Sequence, residues 1–279
     1  MRATNNWKAS RDTKSRFEAG AVAWAEYNRQ PLGRIRQEVT WHNLLPYLPE
    51  IRDVQSPPRL LDAGAGSGEL ALKLAHRGYR VWLLDDAPTM IELAREAAQR
   101  LPDDVRQRLH FCPMSAADAS AAFVPGFFDA ITCHTLIEYL PHPQDTLGAL
   151  TGLLRNGGLL SLSFVNRYAE VLRQVLSRAD PVGALEKLEQ RVFCASLFGV
   201  SGQAYTTSEV ITWLAALDFA LTAERGVRCF ADYLPRDRLD DPEFLEALIR
   251  FESAVADRSP YREIARYSHV LAHKNPRPA

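Results

Sequence analysis

Asp62, Gly64, Gly66 and Gly68 close a short apolar run that begins at Arg59, and Asp85 and Asp86 close a second run. Glycines at every second position let the main chain turn sharply and leave no Cβ between its N–H groups and a ligand. The acids narrow what that ligand is. A dinucleotide site reads G-x-G-x-x-G, its third glycine packing helix against strand beside the pyrophosphate. Counted from Gly64, that third position is Glu69. Carboxylates at Asp62 and Glu69 are poor neighbours for a pyrophosphate and good ones for a cation. Asp85 lies 23 residues after Asp62, about where an acid reaches the two hydroxyls of an adenosine ribose. The chemistry expected is the holding of a positively charged nucleoside. A glycine turn that binds nothing is the bland alternative.

To position those residues the chain must supply a β-α-β unit. Residues 59–62 read as a buried strand stopped by glycine, Leu70, Leu72, Leu74 and Ala75 open a helix, and 79–84 form a second strand. The alternation continues with a helix at 88–100, whose Pro88 suits a first turn and whose apolar side is Met90, Ile91, Leu93 and Ala94. Strands follow at 109–112 and 127–134, then a helix at 143–155 closed by Asn156-Gly157-Gly158, then a strand at 159–165. Residues 167–203 break the pattern and read as helices at 168–177 and 183–193 with a Gly/Ser turn at 199–202. Thr206-Thr207-Ser208-Glu209 starts a helix that runs to Leu217. A sixth strand at 219–230, interrupted near Gly226, an amphipathic helix at 240–257 and a seventh strand at 267–273 complete the chain, with a frayed tail after Lys274.

Ahead of the sheet, residues 12–27 and 34–48 have helical spacing and are separated by Gln30-Pro31-Leu32-Gly33. We expect residues 1–55 to form a helical lid over the crevice at the strand ends. Residues 56–279 then form the binding domain, with helical insertions at about 167–203 and 235–263. Side chains at the carboxyl ends of parallel strands line such a crevice. His134, at the end of the fourth strand, and Asp118, just past the third, are pocket candidates on that basis, and Arg34 and Arg36 head the second lid helix. Their alternatives are a satisfied core histidine, a cap in the Ser115-Ala116-Ala117-Asp118 turn and solvated surface charge.

Composition excludes more than it selects. With 279 residues, 47% hydrophobic and 24% charged, the chain has room for one large globular domain with additions, or two small ones. No apolar run approaches the ~20 residues of a membrane span. The first twenty residues are polar and lack the apolar core of a secretory signal, so a cytoplasmic protein is expected. Cys112, Cys133, Cys194 and Cys229 are scattered, with no C-x-x-C pair and no histidine at zinc-ligand spacing, so no metal is expected. No G-x-S-x-G elbow marks a hydrolase. A net charge of -1 neither favours nor excludes nucleic acid.

The glycine motif with its acids resembles the nucleotide-binding motif of class I S-adenosylmethionine (AdoMet) methyltransferases, whose ligand carries an ammonium, a sulfonium and a ribose. The flanks narrow the likeness. Over nearly its whole length the chain resembles the bacterial tRNA 5-carboxymethoxyuridine methyltransferase family. Gly33-Arg34-Ile35-Arg36-Gln37 with Trp41, Leu61-Asp62-Ala63-Gly64, residues 134–139, residues 155–162 and the Thr/Ser-rich 206–209 carry it. More specific are Gly226-Val227-Arg228-Cys229-Phe230-Ala231-Asp232-Tyr233-Leu234 and Arg266-Tyr267-Ser268-His269-Val270.

The resemblance implies an α/β, Rossmann-like class I fold. Its seven-stranded, mostly parallel sheet has the order 3-2-1-4-5-7-6, an antiparallel last strand and helices on both faces. It implies methyl transfer to the carboxylate of the carboxymethoxy group on a wobble uridine of tRNA. Carried over position by position, Arg36, Gly64, Ala65, Asp85, Ala116, Ala117 and His134 fall where that family contacts AdoMet. Asp62, Gly66, Gly68, Asp86, Met90 and Asp118 complete the cofactor set expected here. One departure matters. The family carries a lysine-rich run in the insertion after the fifth strand, whereas residues 184–191 here read ALEKLEQR, of mixed charge. Phosphate contacts supply much of nucleic-acid affinity, so a small-molecule carboxylate acceptor stands as the rival to tRNA. A non-catalytic AdoMet-binding module is the third reading.

An acceptor carboxylate, with a pKa of about 4, is already ionised at neutral pH, so the transfer needs no general base. It needs alignment, exclusion of water and a cation to hold the acceptor. Arg228 is the first choice, because a guanidinium grips a carboxylate with two parallel hydrogen bonds. Tyr233 and Tyr267, with Arg36, stand behind it.

Overall fold

Neighbouring leucines in the first strand go to opposite sides of a sheet, and two apolar layers follow from that alternation. The computed structural model describes residues 11–276, so the first ten residues of the expected lid and the last three of the expected tail lie outside the described residues. β1 (Arg59–Ala63) sends Leu60 into one layer with Leu74, Val81 and Ile91, and Leu61 into the other with Ile131, Leu147 and Leu214. Leu60, Leu61, Leu74 and Ile131 are fully buried, each contributing about 1.5–3 kcal/mol by leaving water. A strand apolar on both faces requires helices on both.

β2 (Arg80–Asp85), β3 (Leu109–Pro113), β4 (Phe128–His134) and β5 (Leu154–Val165) run parallel to β1. β6 (Val192–Ala195) and β7 (Val200–Gln203) form a separate antiparallel pair. β8 (Phe219–Val227) and β9 (Tyr267–Lys274) complete a sheet of order β3-β2-β1-β4-β5-β9-β8, with β9 antiparallel to both neighbours. This is the order the resemblance implies. The chain builds outward from β1 in one direction and then from β4 in the other, which opens a crevice at their carboxyl ends. Because β9 runs backwards, pairing Tyr267 with Val165, its first residues arrive at that same crevice.

Several boundaries differ from the sequence reading, each for a local reason. The turn expected at 199–202 is the second strand of the β6–β7 hairpin, and the helix expected to reach 193 stops at Glu189. The helix before β5 ends at Gly152, because Leu154 already pairs with Phe128. Gln30-Pro31-Leu32-Gly33 is not a loop. Pro31 opens α2 (Pro31–Leu44) directly after α1 (Arg11–Arg29), taking the first-turn position where no N–H is needed. Gly33 lies inside α2 because a Cβ there would collide with the Tyr27 carbonyl oxygen. The sixth strand of the main sheet stops at Val227, since Arg228 adopts a left-handed backbone (φ 62°).

α3 (Glu69–His76) follows the glycine loop and α4 (Pro88–Ala98) follows β2. α1 packs on α4 through Ala21, Ala87 and Met90, with Phe17, Trp24 and Phe198 against them. α2 packs through Ile35 and Val39 on Leu248 and Ile249 of the helix Pro242–Val255. Among the described residues no helix is long and apolar enough to cross a membrane.

Candidate active site

Gly64, Gly66 and Gly68 take φ values of 73°, 55° and 84°, which only glycine adopts without strain. The turn is fastened to β2: the N–H groups of Gly64 and Ala65 donate to the Leu84 carbonyl at 2.8 and 3.0 Å. Asp85 tightens it further, accepting from the Gly66 N–H at 2.9 Å and from the Ala87 N–H at 3.0 Å. Beside this loop, Glu69 Oε1 accepts from Asn28 Nδ2 (2.9 Å), and Asn28 Oδ1 accepts from Arg36 Nη2 (2.7 Å). That chain, with Trp24 stacked 4.3 Å from the Arg36 guanidinium, fixes Arg36 next to the glycine turn.

The carboxylates here sit above their ordinary range. Burial pushes Asp62 up to about 7; the Thr132 hydroxyl, donating at 2.6 Å, pulls it back, and Glu69 and Asp85 add like-charge repulsion. Burial likewise lifts Asp85 to about 6 against its two backbone N–H donors, with Asp86 and Glu18 raising it further. Two crowded acids that resist ionisation would be relieved by a cation and strained by an anion.

A cavity of about 960 Å³ opens from this loop. Gly64, Gly66, Asp85, Asp86, Met90, Ala116 and Ala117 line one part, and arginines and aromatics line another. In that second part Arg228 is buried and engaged on one side. Its Nε donates to Asp232 Oδ2 at 3.0 Å, its Nη2 to Asp232 Oδ1, and its Nη1 to the Tyr27 hydroxyl at 2.6 Å. Three of its five N–H groups are thus used and two are left. Asp232 also faces Arg173 at 3.7 Å, Arg173 reaches Glu170 at 3.3 Å, and Glu170 pairs with Arg266. Tyr267 lies inside this circuit, 5.6 and 5.4 Å from the Arg228 and Arg266 guanidiniums. Burial alone would push its phenol up, but Arg228, Arg266 and Arg36 together hold it below its ordinary value. Guanidiniums packed this closely around one phenol favour an anion beside it.

The loop carrying Arg228 and Asp232 is stapled from behind. Glu252, fully buried on the helix Pro242–Val255, accepts from the N–H groups of Cys229 (2.6 Å), Phe230 (2.9 Å) and Ala231 (2.8 Å). α1 and the β6–β7 hairpin meet across the cavity, where Phe17 lies 4.6 Å from Phe198 and Arg16 donates to the Gly199 carbonyl at 2.8 Å.

Comparison with known proteins decides what this cavity belongs to. A methyltransferase-domain family matches residues 61–162. The tRNA 5-carboxymethoxyuridine methyltransferase of Escherichia coli (strain K12) is 32% identical over 244 residues, 87% of this chain and 89% of that one. The chain belongs to the tRNA 5-carboxymethoxyuridine methyltransferase family. It is an AdoMet-dependent methyltransferase. The Ubiquinone biosynthesis O-methyltransferase of Xanthomonas campestris pv. campestris (strain B100) is 36% identical over 109 residues, only 39% of this chain and 44% of that protein. The Burkholderia thailandensis 1,6-didemethyltoxoflavin-N1-methyltransferase shares the fold, with a TM-score of 0.56 at 17% identity, covering 98% of this chain and 93% of that chain. That structure holds S-adenosylhomocysteine.

The residues present fit AdoMet, since the glycine turn leaves room for main-chain contact and the crowded acids suit a cationic nucleoside. Of the cofactor set expected from sequence, Arg36, Gly64, Gly66, Asp85, Asp86, Met90, Ala116 and Ala117 line the cavity, as do Arg228 and Tyr267 of the acceptor set. The others stand back, each for a visible reason. Asp62 is buried behind the loop on Thr132, and Ala65 packs in the core. Gly68 is a packing glycine, since a Cβ there would stand 2.9 Å from Ala94 Cβ. Asp118 is exposed, and Ser115 rather than Asp118 caps that turn. His134 Nε2 is tied to Ser161 Oγ at 2.8 Å, which is in turn 2.8 Å from His269 Nε2, and its half-buried ring lies outside the cavity lining, next to Thr135 and Leu136, which belong to it. Tyr233 lies next to Asp232 but outside the cavity lining.

Sequence reasoning missed Trp24, Tyr27, Arg173, Asp232, Glu252 and Arg266. Signals were there for three of them: Asp232 stands i,i+4 from Arg228, Arg173 stands i,i+3 from Glu170, and Asp232 and Arg266 lie in the stretches that carry the resemblance. Among the described residues no group of three or more His, Cys, Asp or Glu could hold a metal.

Proposed function

We propose that this enzyme methylates the carboxylate of the carboxymethoxy group on wobble 5-carboxymethoxyuridine in tRNA. The reading is supported by the nearly full-length similarity to a tRNA 5-carboxymethoxyuridine methyltransferase. The observation that carries it is the field around Tyr267, where Arg228, Arg266 and Arg36 favour an anion in the same cavity as the glycine turn.

Bound AdoMet supplies an electrophilic methyl group on a sulfonium. Asp85 takes the ribose hydroxyls with its remaining lone pairs, and Arg36, beside the turn, takes the methionine carboxylate. Arg228 presents its two free N–H groups to the acceptor carboxylate, and Arg266 adds charge. Asp232 positions Arg228 by holding the opposite side of the fork. No residue has to remove a proton, because the acceptor is ionised at neutral pH. Alignment and dryness therefore carry the rate, and residues 11–55 act as the lid that supplies both, through Phe17, Trp24 and Tyr27.

The test is mass spectrometry of tRNA nucleosides from a strain deleted for this gene. Loss of the ester-bearing uridine, with the free acid accumulating, is the expected result. An unchanged nucleoside profile would instead favour a small-molecule carboxylate acceptor, the reading to which the mixed charge of residues 184–191 points.

A further inference from the structure

The arginine part of the cavity holds more positive charge than one carboxylate can use. Arg36, Arg173, Arg178, Arg228, Arg236 and Arg266 all line it. Facing them are Asp232 and Glu170, paired as described, and Glu138, buried near Arg266 and Arg36. With Arg36 set aside for the methionine carboxylate and Glu138 ionised, three carboxylates meet five guanidiniums. A single acceptor carboxylate leaves the site still cationic.

The surplus is not spread evenly. Arg178 and Arg236 are solvent-exposed, unlike the buried Arg228 and the half-buried Arg173 and Arg266. Arg178 donates to the neutral amide oxygen of Gln174, at 2.9 Å. The half-buried Asp180 feels its charge, but that carboxylate is held by the Gly183 N–H and the Gln174 amide instead. Among the described residues no acid forms an ion pair with Arg178 or Arg236. The two come from distant parts of the chain and line the same cavity, and between their segments the Ser177 hydroxyl donates to the Asp232 carbonyl at 3.4 Å. One neighbour of that contact is Arg178, and Arg236 follows Asp232 by four residues. Two guanidiniums without ion-pair partners at the rim of a cavity suit a doubly oxygenated anion that stays partly in water, which is the situation of a backbone phosphate.

We propose that Arg178 and Arg236 form a phosphate subsite at the cavity mouth, gripping a phosphodiester next to the nucleotide that bears the acceptor carboxylate. This rests on the acceptor reading given above. It also answers the mixed charge of residues 184–191: the phosphate-binding charge sits at the cavity rim instead of along that insertion. The acceptor is then a nucleotide within a strand rather than a free nucleoside or a neutral-tailed small acid.

The experiment compares kcat/KM for the free nucleoside 5-carboxymethoxyuridine with that for an anticodon stem-loop oligonucleotide carrying it, in the unsubstituted enzyme, the R178Q/R236Q double variant and the R178K/R236K double variant. The unsubstituted enzyme prefers the oligonucleotide. In R178Q/R236Q that preference collapses by about tenfold or more, the scale of lost charge-assisted hydrogen bonds. The slope of log(kcat/KM) against log[salt] becomes shallower by about one for each phosphate that the variant no longer grips. R178K/R236K, which keeps the charge, recovers part of both. An unchanged preference and salt slope in R178Q/R236Q, with the oligonucleotide still methylated, would overturn the subsite alone. Failure of the unsubstituted enzyme to methylate either substrate would overturn the acceptor assignment and the subsite with it.

Discussion

Asp85 shapes the glycine turn through the Gly66 and Ala87 N–H groups while facing the cavity, and it resists ionisation while doing so. Its value of about 6, and that of about 7 for Asp62, lie above the roughly 3.9 of an unfolded aspartate. The folded protein therefore binds more protons than the unfolded chain across that interval. The stability these groups contribute is present below about pH 4 and is lost as pH rises through 6 and 7. A cationic ligand reverses the pull. AdoMet should bind more tightly as pH rises from about 5.5 to 7.5 and release protons on binding. Calorimetry in buffers of different ionisation heat would read this directly, and proton uptake would contradict it. Asp85→Asn should weaken AdoMet about tenfold. At the other end of the cavity, Arg228→Lys keeps the charge and loses the planar fork, so turnover should fall by about a hundredfold with AdoMet affinity retained. The acid at position 85 was legible in the sequence because it ends an apolar run. Tyr27 was not, since it lies 201 residues from the guanidinium it meets.

The element that decides how well Arg228 is aimed is a helix that never touches the cavity. Glu252 holds three successive backbone N–H groups, and this carboxylate determines where the loop 228–232 sits. Glu252→Gln should cost about 1–3 kcal/mol in chemical denaturation, because an amide cannot accept at both ends. It should also raise KM for the acceptor while leaving AdoMet affinity alone. Equal losses for both ligands would mean that the two halves of the cavity are mechanically coupled. The helix itself was readable from its apolar face of Phe244, Leu245, Leu248 and Ile249, whereas nothing in the sequence set its buried acid, Glu252, apart from its other charges. The β6–β7 hairpin escaped for a different reason. Strands of four residues are too short to display a period of two, and theirs is set by Phe193 packing with Val165 and Ala204.

At the scale of the whole molecule, four separate lengths of chain converge on one crevice. Residues 64–90 and 115–117 supply the cofactor part, while residues 165–178 and 228–267 supply most of the arginine part. The parallel core was legible because both faces of its strands are apolar, and the reversed β9 came only with the family resemblance. A saturating ligand at about a hundred times its Kd adds about 2.7 kcal/mol. The thermal shift on adding AdoMet at a fixed concentration should therefore be larger at pH 8 than at pH 5.5, where the acids hold their protons. A smaller shift at pH 8 would rule out the two carboxylates as the origin of the effect. The reversed β9 also has a practical bearing. It leaves the crevice at Tyr267 and runs to Lys274, where its pairing with Leu159 and Phe219 carries it to the opposite edge of the molecule. Purification handles or reporter proteins fused behind Lys274 would hang clear of the crevice, whereas the same cargo placed before α1 would crowd the side of the cavity that Thr13 and Lys14 line.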